Sequence, residues 1–156
     1  MNKMSNLEDD YMDKVLFLDI DGVLNSAYFF KNRQNKESDL DINAVKILEN
    51  IVEKTNCAVV LSSSWRMFGL EYVNEEFLKI KSRLEIDYYT TTKHMDRGLQ
   101  IKQFIEENNI DNYVVVDDEI CDIKQHLDSS RVVKTEFRGD GLNHEIADKI
   151  IELLNK

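Results

Sequence analysis

Short apolar bursts separated by longer amphipathic stretches run the length of this chain. Residues 14–20 (KVLFLDI), 57–61 (CAVVL) and 113–116 (YVVV) are apolar and β-rich on successive positions, which is the pattern of strands buried on both faces. Residues 131–134 (RVVK) form a fourth, shorter burst, and residues 83–92 read as irregular or as a short strand. Between the bursts the period lengthens. Ile42, Val45, Leu48, Ile51 and Val52 recur at helical spacing over residues 41–54, and Leu70, Val73, Phe77, Leu78 and Ile80 over residues 69–83. Leu99, Ile101, Phe104 and Ile105 do the same over residues 98–108. A short helix is expected at residues 120–127, and Ile146, Ile150, Ile151 and Leu154 predict a closing amphipathic helix over 144–154. Residues 31–40 (KNRQNKESDL) are polar and read as a loop, while residues 1–13 are acidic without a period and read as a loose tail.

Strands alternating with helices predict βαβ units around a parallel sheet. Their right-handed crossovers put helices on both faces. The expectation is an α/β fold, a three-layer Rossmann-like parallel sheet, in a single domain over residues 14–156.

Composition narrows the setting. The 156 residues, 42% of them apolar, suffice for one core. No apolar stretch approaches the ~20 residues of a membrane span, and the first residues lack the basic-then-apolar pattern of a secretion signal. A cytoplasmic protein with no membrane partner is expected. Cys57 and Cys121 stand beside apolar neighbours without zinc-ligand spacing, and read as buried free thiols. Twenty basic against thirty acidic residues give a formal charge of −10. That balance argues against extended nucleic-acid binding and leaves room for one local phosphate pocket.

The chemistry gathers just past the strands, where open parallel sheets bind ligands. The first strand ends in Asp19-Ile20-Asp21-Gly22, the second in Ser62-Ser63-Ser64-Trp65-Arg66, and the third in Asp117-Asp118-Glu119. Singly, an Asp after a strand is commonly a turn or cap residue. Jointly, four carboxylates at one edge repel unless something positive lies between them. With no His or Cys ligand nearby, a hard cation held by oxygens is the natural answer, and magnesium fits best. One carboxylate would then attack phosphorus and another would move protons. Hydroxyls, backbone amides and a Lys or Arg would hold the phosphoryl oxygens, with Gly22 letting the backbone bend clear.

These residues carry a family resemblance. LDIDGVL resembles the first motif of the haloacid dehalogenase (HAD) superfamily, LSS its second and VVVDD its fourth. LDIDGVLN, LSSSWR, Arg97-Gly98, VVVDDE and Gly141-Leu142 together are similar to small HAD domains related to those of multi-domain RNA repair proteins. The resemblance implies Asp19 as nucleophile and Asp21 as general acid/base, its backbone carbonyl on the metal. It implies Ser62, with Ser63 as fallback, on the phosphoryl oxygens, and Asp118 helped by Asp117 completing a magnesium site with Asp19 and Asp21. Arg97 is preferred over Lys93 as the cation of the third motif. Paired Asp19 and Asp21 mark the phosphatase pattern of the superfamily.

In the two intervals that host a cap in this superfamily, residues 24–57 leave only a loop beside the helix at 41–54 and residues 66–93 hold one helix and little more, so an open site, capless or with a minimal cap, is expected. It would admit bulky substrates, polymer ends or proteins, and also a nucleotide; a phosphate monoester on a nucleotide or a nucleic-acid end is the leading expectation. Asn25 and Arg66 are expected to contact substrate, and Tyr28, Phe29 and Phe30 either stack a base from their loop or cover the sheet edge. Trp65 either joins the substrate or packs under the next helix. His94, His126 and His144 read as structural or exposed, and Glu119 as an orienting residue or the start of the next helix. Two other readings remain: a phosphatase for small metabolites or a nucleotide-derived signal, and a module that captures a phosphorylated ligand without turnover.

Overall fold

The computed structural model describes residues 12–34, 36–91 and 93–156. Most of the expected tail lies outside these residues. Met12, at its end, packs against the core.

Five strands form one parallel sheet: β1 (Val15–Leu18), β2 (Ala58–Leu61), β3 (Tyr88–Tyr89), β4 (Tyr113–Asp117) and β5 (Val132–Lys134), in the order β3-β2-β1-β4-β5. The apolar run of β1 is explained by its central place. Successive strand side chains point to opposite faces, and both faces of β1 are covered. Val15 and Phe17 join Ile101, Phe104 and Ile123 on one side, where Phe17 meets Phe104 edge-on at 5.7 Å. Leu16 and Leu18 join Leu48, Ile51, Phe77 and Ile150 on the other.

The first side is built by α4 (Arg97–Glu107) and α5 (Cys121–His126), the second by α2 (Ile42–Thr55), α3 (Leu70–Lys79) and α6 (His144–Leu154). Helix starts follow local chemistry. The Asp41 carboxylate accepts from the Asn43 amide at the start of α2, and Asn143 accepts from the Ile146 amide at the start of α6, each satisfying a donor that the helix leaves unpaired. Gly98 is required by proximity: a Cβ there would lie 2.9 Å from the Asp122 carbonyl oxygen of α5. Its small size lets α4 and α5 close up.

Four details depart from the sequence expectation. Residues 27–32 are a short helix, α1 (Ala27–Asn32), rather than part of a loop; Ser26 caps it by accepting from the Phe29 amide. Tyr28 to Phe30 therefore sit on a helix, and Tyr28 and Phe30 are exposed instead of covering the sheet edge. Cys121 is exposed, whereas Cys57 is buried; both thiols are free. The third helix stops at Lys79, short of the expected 83; residues 88–89, where a short strand is one of the two expectations, supply the edge strand β3. Among the described residues, α1 and α2 lie between β1 and β2, and a 3₁₀ turn (Ser64–Phe68) and α3 between β2 and β3. The described residues thus hold no more than a minimal cap, as expected.

Candidate active site

Ladder hydrogen bonds carry the strand alignment one residue past the sheet. The Asp19 amide donates to the Val116 carbonyl and the Ser62 amide to the Leu18 carbonyl. With Leu18 in register with both Leu61 and Val116, Asp19, Ser62 and Asp117 follow side by side.

Asp19, Asp117 and Asp118 each offer a carboxylate oxygen within 4.8 Å of the others. Arg97, at the first turn of α4, reaches over them: its guanidinium donates to Asp117 at 2.7 Å and stands 3.5 Å from Asp19. Burial, then the negative charge of Asp117, pushes the Asp19 carboxyl up to about 9, against the pull of Arg97. Burial also raises Asp118, with Asp117 adding to it. For Arg97 burial acts downward, but Asp117 and Asp19 outweigh it and hold the guanidinium above its usual range. One guanidinium is too little charge for three crowded carboxylates. An all-oxygen donor set with surplus negative charge fits a hard divalent cation such as magnesium.

Gly22 makes the crowding sterically feasible. Its φ is +86°, and a Cβ would fall 2.4 Å from the Asp118 carboxyl carbon. Its carbonyl accepts from the buried Thr135 hydroxyl at 2.7 Å. The loop that carries Gly22 is pinned again where the Leu142 amide donates to the Val23 carbonyl, which gives the Gly141-Leu142 pair a structural part.

Asp21 is set apart from the other three. It is exposed, and two donors hold its carboxylate: the Asn25 amide at 3.0 Å and the Trp65 indole N–H at 3.2 Å. Asn25, expected on the substrate, is buried and also accepts from the Gly22 amide and donates to the Asp39 carbonyl. Its side chain is spent on shaping the loop. Trp65 packs edge-on against Tyr72 of α3, as its packing alternative had it.

Ser62 is buried, and its hydroxyl has no hydrogen-bond partner among the described residues. A buried, unpaired hydroxyl is costly, and here it lies beside Asp19. Ser63 is turned to local use, accepting from the Trp65 amide. Arg66 donates to the Ser63 carbonyl and, among the described residues, makes no ion pair with a carboxylate. Burial first, and Arg97 second, lower its pKa. Arg66 and Arg97 share an open cleft of about 890 Å³ with Asp118, Glu119, Lys124 and Lys134. Lys93 is exposed; Arg97 is the cation that reaches the carboxylates. His144 opens α6 as expected. His126 lies 3.7 Å from Asp122 and, with Asp96, forms a cluster that the spacing of the histidines did not suggest. Asp122 there accepts from the Gly98 amide, which ties α4 to α5.

Three roles were not legible beforehand. Trp65 as a donor to Asp21 needed the fold. Thr135 carried no signal in its surroundings. Thr90, one residue past β3, is a second buried hydroxyl without a partner among the described residues at the same edge; only its place after a strand hints at it.

The sequence model of one family, described as the HAD domain in Swiss Army Knife RNA repair proteins, matches residues 15–147. No curated protein and no solved structure matches the chain. The match spans most of the chain, and the protein belongs to this HAD family. Such domains are hydrolases that act on phosphorylated substrates and generally use magnesium.

Proposed function

We propose that this protein is a magnesium-dependent phosphatase that removes a phosphate monoester through an aspartyl-phosphate on Asp19, acting on a nucleotide or a nucleic-acid end. The observation that carries the reading is the convergence of Asp19, Asp117 and Asp118 under Arg97, with the unpaired Ser62 hydroxyl alongside. The description of the family by RNA repair supports the substrate class.

Asp19, Asp117 and Asp118, with the Asp21 backbone carbonyl, would hold magnesium; when bound it supplies positive charge against the phosphate and the crowded carboxylates. An Asp19 carboxylate oxygen attacks phosphorus while the bond to the leaving oxygen breaks. Asp21 gives its proton to that oxygen. A water then attacks the aspartyl-phosphate at phosphorus, returns its proton to Asp21, and leaves inorganic phosphate with Asp19 restored. Ser62 donates to a phosphoryl oxygen, and Arg97 offsets the charge that builds on the transferring group. Asn25 and Trp65 hold Asp21 between the two steps.

Hydrolysis of an aryl phosphate by the wild type and by Asp19→Asn, each with magnesium and with EDTA, tests the reading. Activity is expected only for the wild type with magnesium. A persistent rate in EDTA, or an undiminished rate in Asp19→Asn, rules the mechanism out. Inhibition by beryllium fluoride or vanadate is expected as well, since both imitate the phosphoryl group on an aspartate.

A further inference from the structure

If Asp21 protonates the leaving oxygen, the leaving group lies beside Asp21, and the surface next to Asp21 selects it. That surface is aromatic. The Trp65 indole bonds the Asp21 carboxylate at 3.2 Å. The Trp65 ring lies 6.0 Å from that of Tyr72, and Tyr72 lies 5.0 Å from Phe68. Trp65 is buried, but Phe68 is 63% and Tyr72 42% exposed, and Met67 beside them is 79% exposed. Neither Phe68 nor Tyr72 belongs to the buried core, and both present apolar area to solvent, linked to Asp21 through Trp65.

The other aromatic group near the first motif is already engaged. The Arg33 guanidinium lies over Phe29 at 5.4 Å and over Phe30 at 4.9 Å. The Phe68–Tyr72 pair carries no such cover among the described residues. Its flank is basic: Arg66, two residues before Phe68, lines the cleft that also holds Asp118 and Arg97. Exposed aromatic rings, tilted 49° to one another so that each offers its own face, next to an arginine with no carboxylate partner among the described residues, suit a ligand made of a base and a phosphate, because any base offers a π-face for stacking.

We infer that Phe68 and Tyr72 form a stacking platform for the nucleobase of the leaving nucleoside. The inference rests on the proposed phosphatase reading for its geometry and gives that site its substrate preference. Arg66 then faces the phosphate side of the same nucleotide. Base identity is weakly discriminated, since stacking is tolerant of sequence.

The test compares adenosine 5′- and 3′-monophosphate with ribose 5-phosphate. The wild type is expected to show a kcat/KM for at least one adenosine monophosphate roughly ten- to a hundredfold above that for ribose 5-phosphate. In the Phe68→Ala/Tyr72→Ala double variant this ratio falls toward one, and Tyr72→Phe alone retains it. A ratio near one in the wild type, or a ratio unchanged in the double variant, overturns the platform. Failure of the phosphatase reading shows separately, as absent Asp19-dependent hydrolysis of the aryl phosphate. In that event binding decides. Trp65 is the single tryptophan of the chain and touches Tyr72, so its fluorescence reports on the platform without turnover. Adenosine monophosphate is expected to change that emission where ribose 5-phosphate does not, and the change is lost in the double variant. Emission indifferent to the base overturns the proposal, and is the result a surface serving another protein chain would give.

Discussion

Replacing Asp19 by Asn should stabilise the protein when divalent cations are absent, although it removes the proposed nucleophile. Asp19 is almost fully buried against Asp117, and its folded-state pKa stands near 9 against an ordinary value of 3.8. A carboxyl whose pKa is raised by folding contributes its full stability below the unfolded value. That contribution is lost as pH climbs toward the folded value, because the unfolded chain sheds its proton in this window while the folded chain, with the carboxyl buried, must hold on to it. Each pH unit in that window costs about 1.4 kcal/mol per proton, so by neutral pH the carboxyl weighs against the fold by a few kcal/mol. Two unit charges about 4 Å apart at an effective dielectric near 20 give ~4 kcal/mol, the same order. Asn keeps the shape and drops the charge. For a chain of this size 1 kcal/mol moves the melting midpoint by about 2–4 °C. In EDTA the wild type should lose stability from pH 5 to pH 8 more steeply than Asp19→Asn, and the variant should melt roughly 5–10 °C higher at the upper end. Magnesium should raise the midpoint of the wild type and do little for the variant. The assay is differential scanning calorimetry across pH, with and without magnesium. A variant less stable than the wild type at pH 8 in EDTA, or pH slopes that run parallel, would refute the reasoning.

Gly22→Ala should abolish magnesium binding along with activity, because the new Cβ lies 2.4 Å from the Asp118 carboxyl carbon at a φ of +86°; isothermal titration with magnesium measures it, and wild-type affinity would contradict the geometry. Trp65→Phe keeps a ring beside Tyr72 and loses the N–H that holds Asp21. Its kcat should fall about tenfold, of the order of one charge-assisted hydrogen bond, with KM little changed; an unaltered kcat would mean that Asn25 alone orients Asp21.

What was readable from the sequence was what local pattern controls. β1, β2 and β4 announce themselves as continuous apolar runs because they lie in the middle of a sheet covered on both faces. The acids follow because strands in register end together. α1 escaped because six residues are too few to show a period, and the Ser26 cap was the sole clue. Cys121 was misplaced because its apolar neighbours Ile120 and Ile123 turn inward while it opens α5 outward. The site divided in a way spacing does not reveal. Asp19 and Asp21 are two residues apart, yet one is crowded under Arg97 and the other is drawn aside by Trp65, 44 residues further along. Such pairings depend on how α3 and α4 settle on the sheet, which no window of sequence records.

The outermost strands of the sheet have a consequence beyond the active site. An exposed strand edge is a template on which another chain can add a strand, the first step toward edge-to-edge aggregation. β3 offers two residues and β5 three, and β5 ends in the exposed Lys134. Edges this short and, on one side, charged give an incoming strand too few backbone partners to compete with water. The central strand β1 is paired along its length on both sides, and β2 and β4 are paired on their outer sides at Val60–Leu61 and Val115–Asp117. Lengthening β5 with β-branched residues in place of Lys134 and Glu136 would remove that protection and turn a well-behaved sheet into one that recruits its own copies.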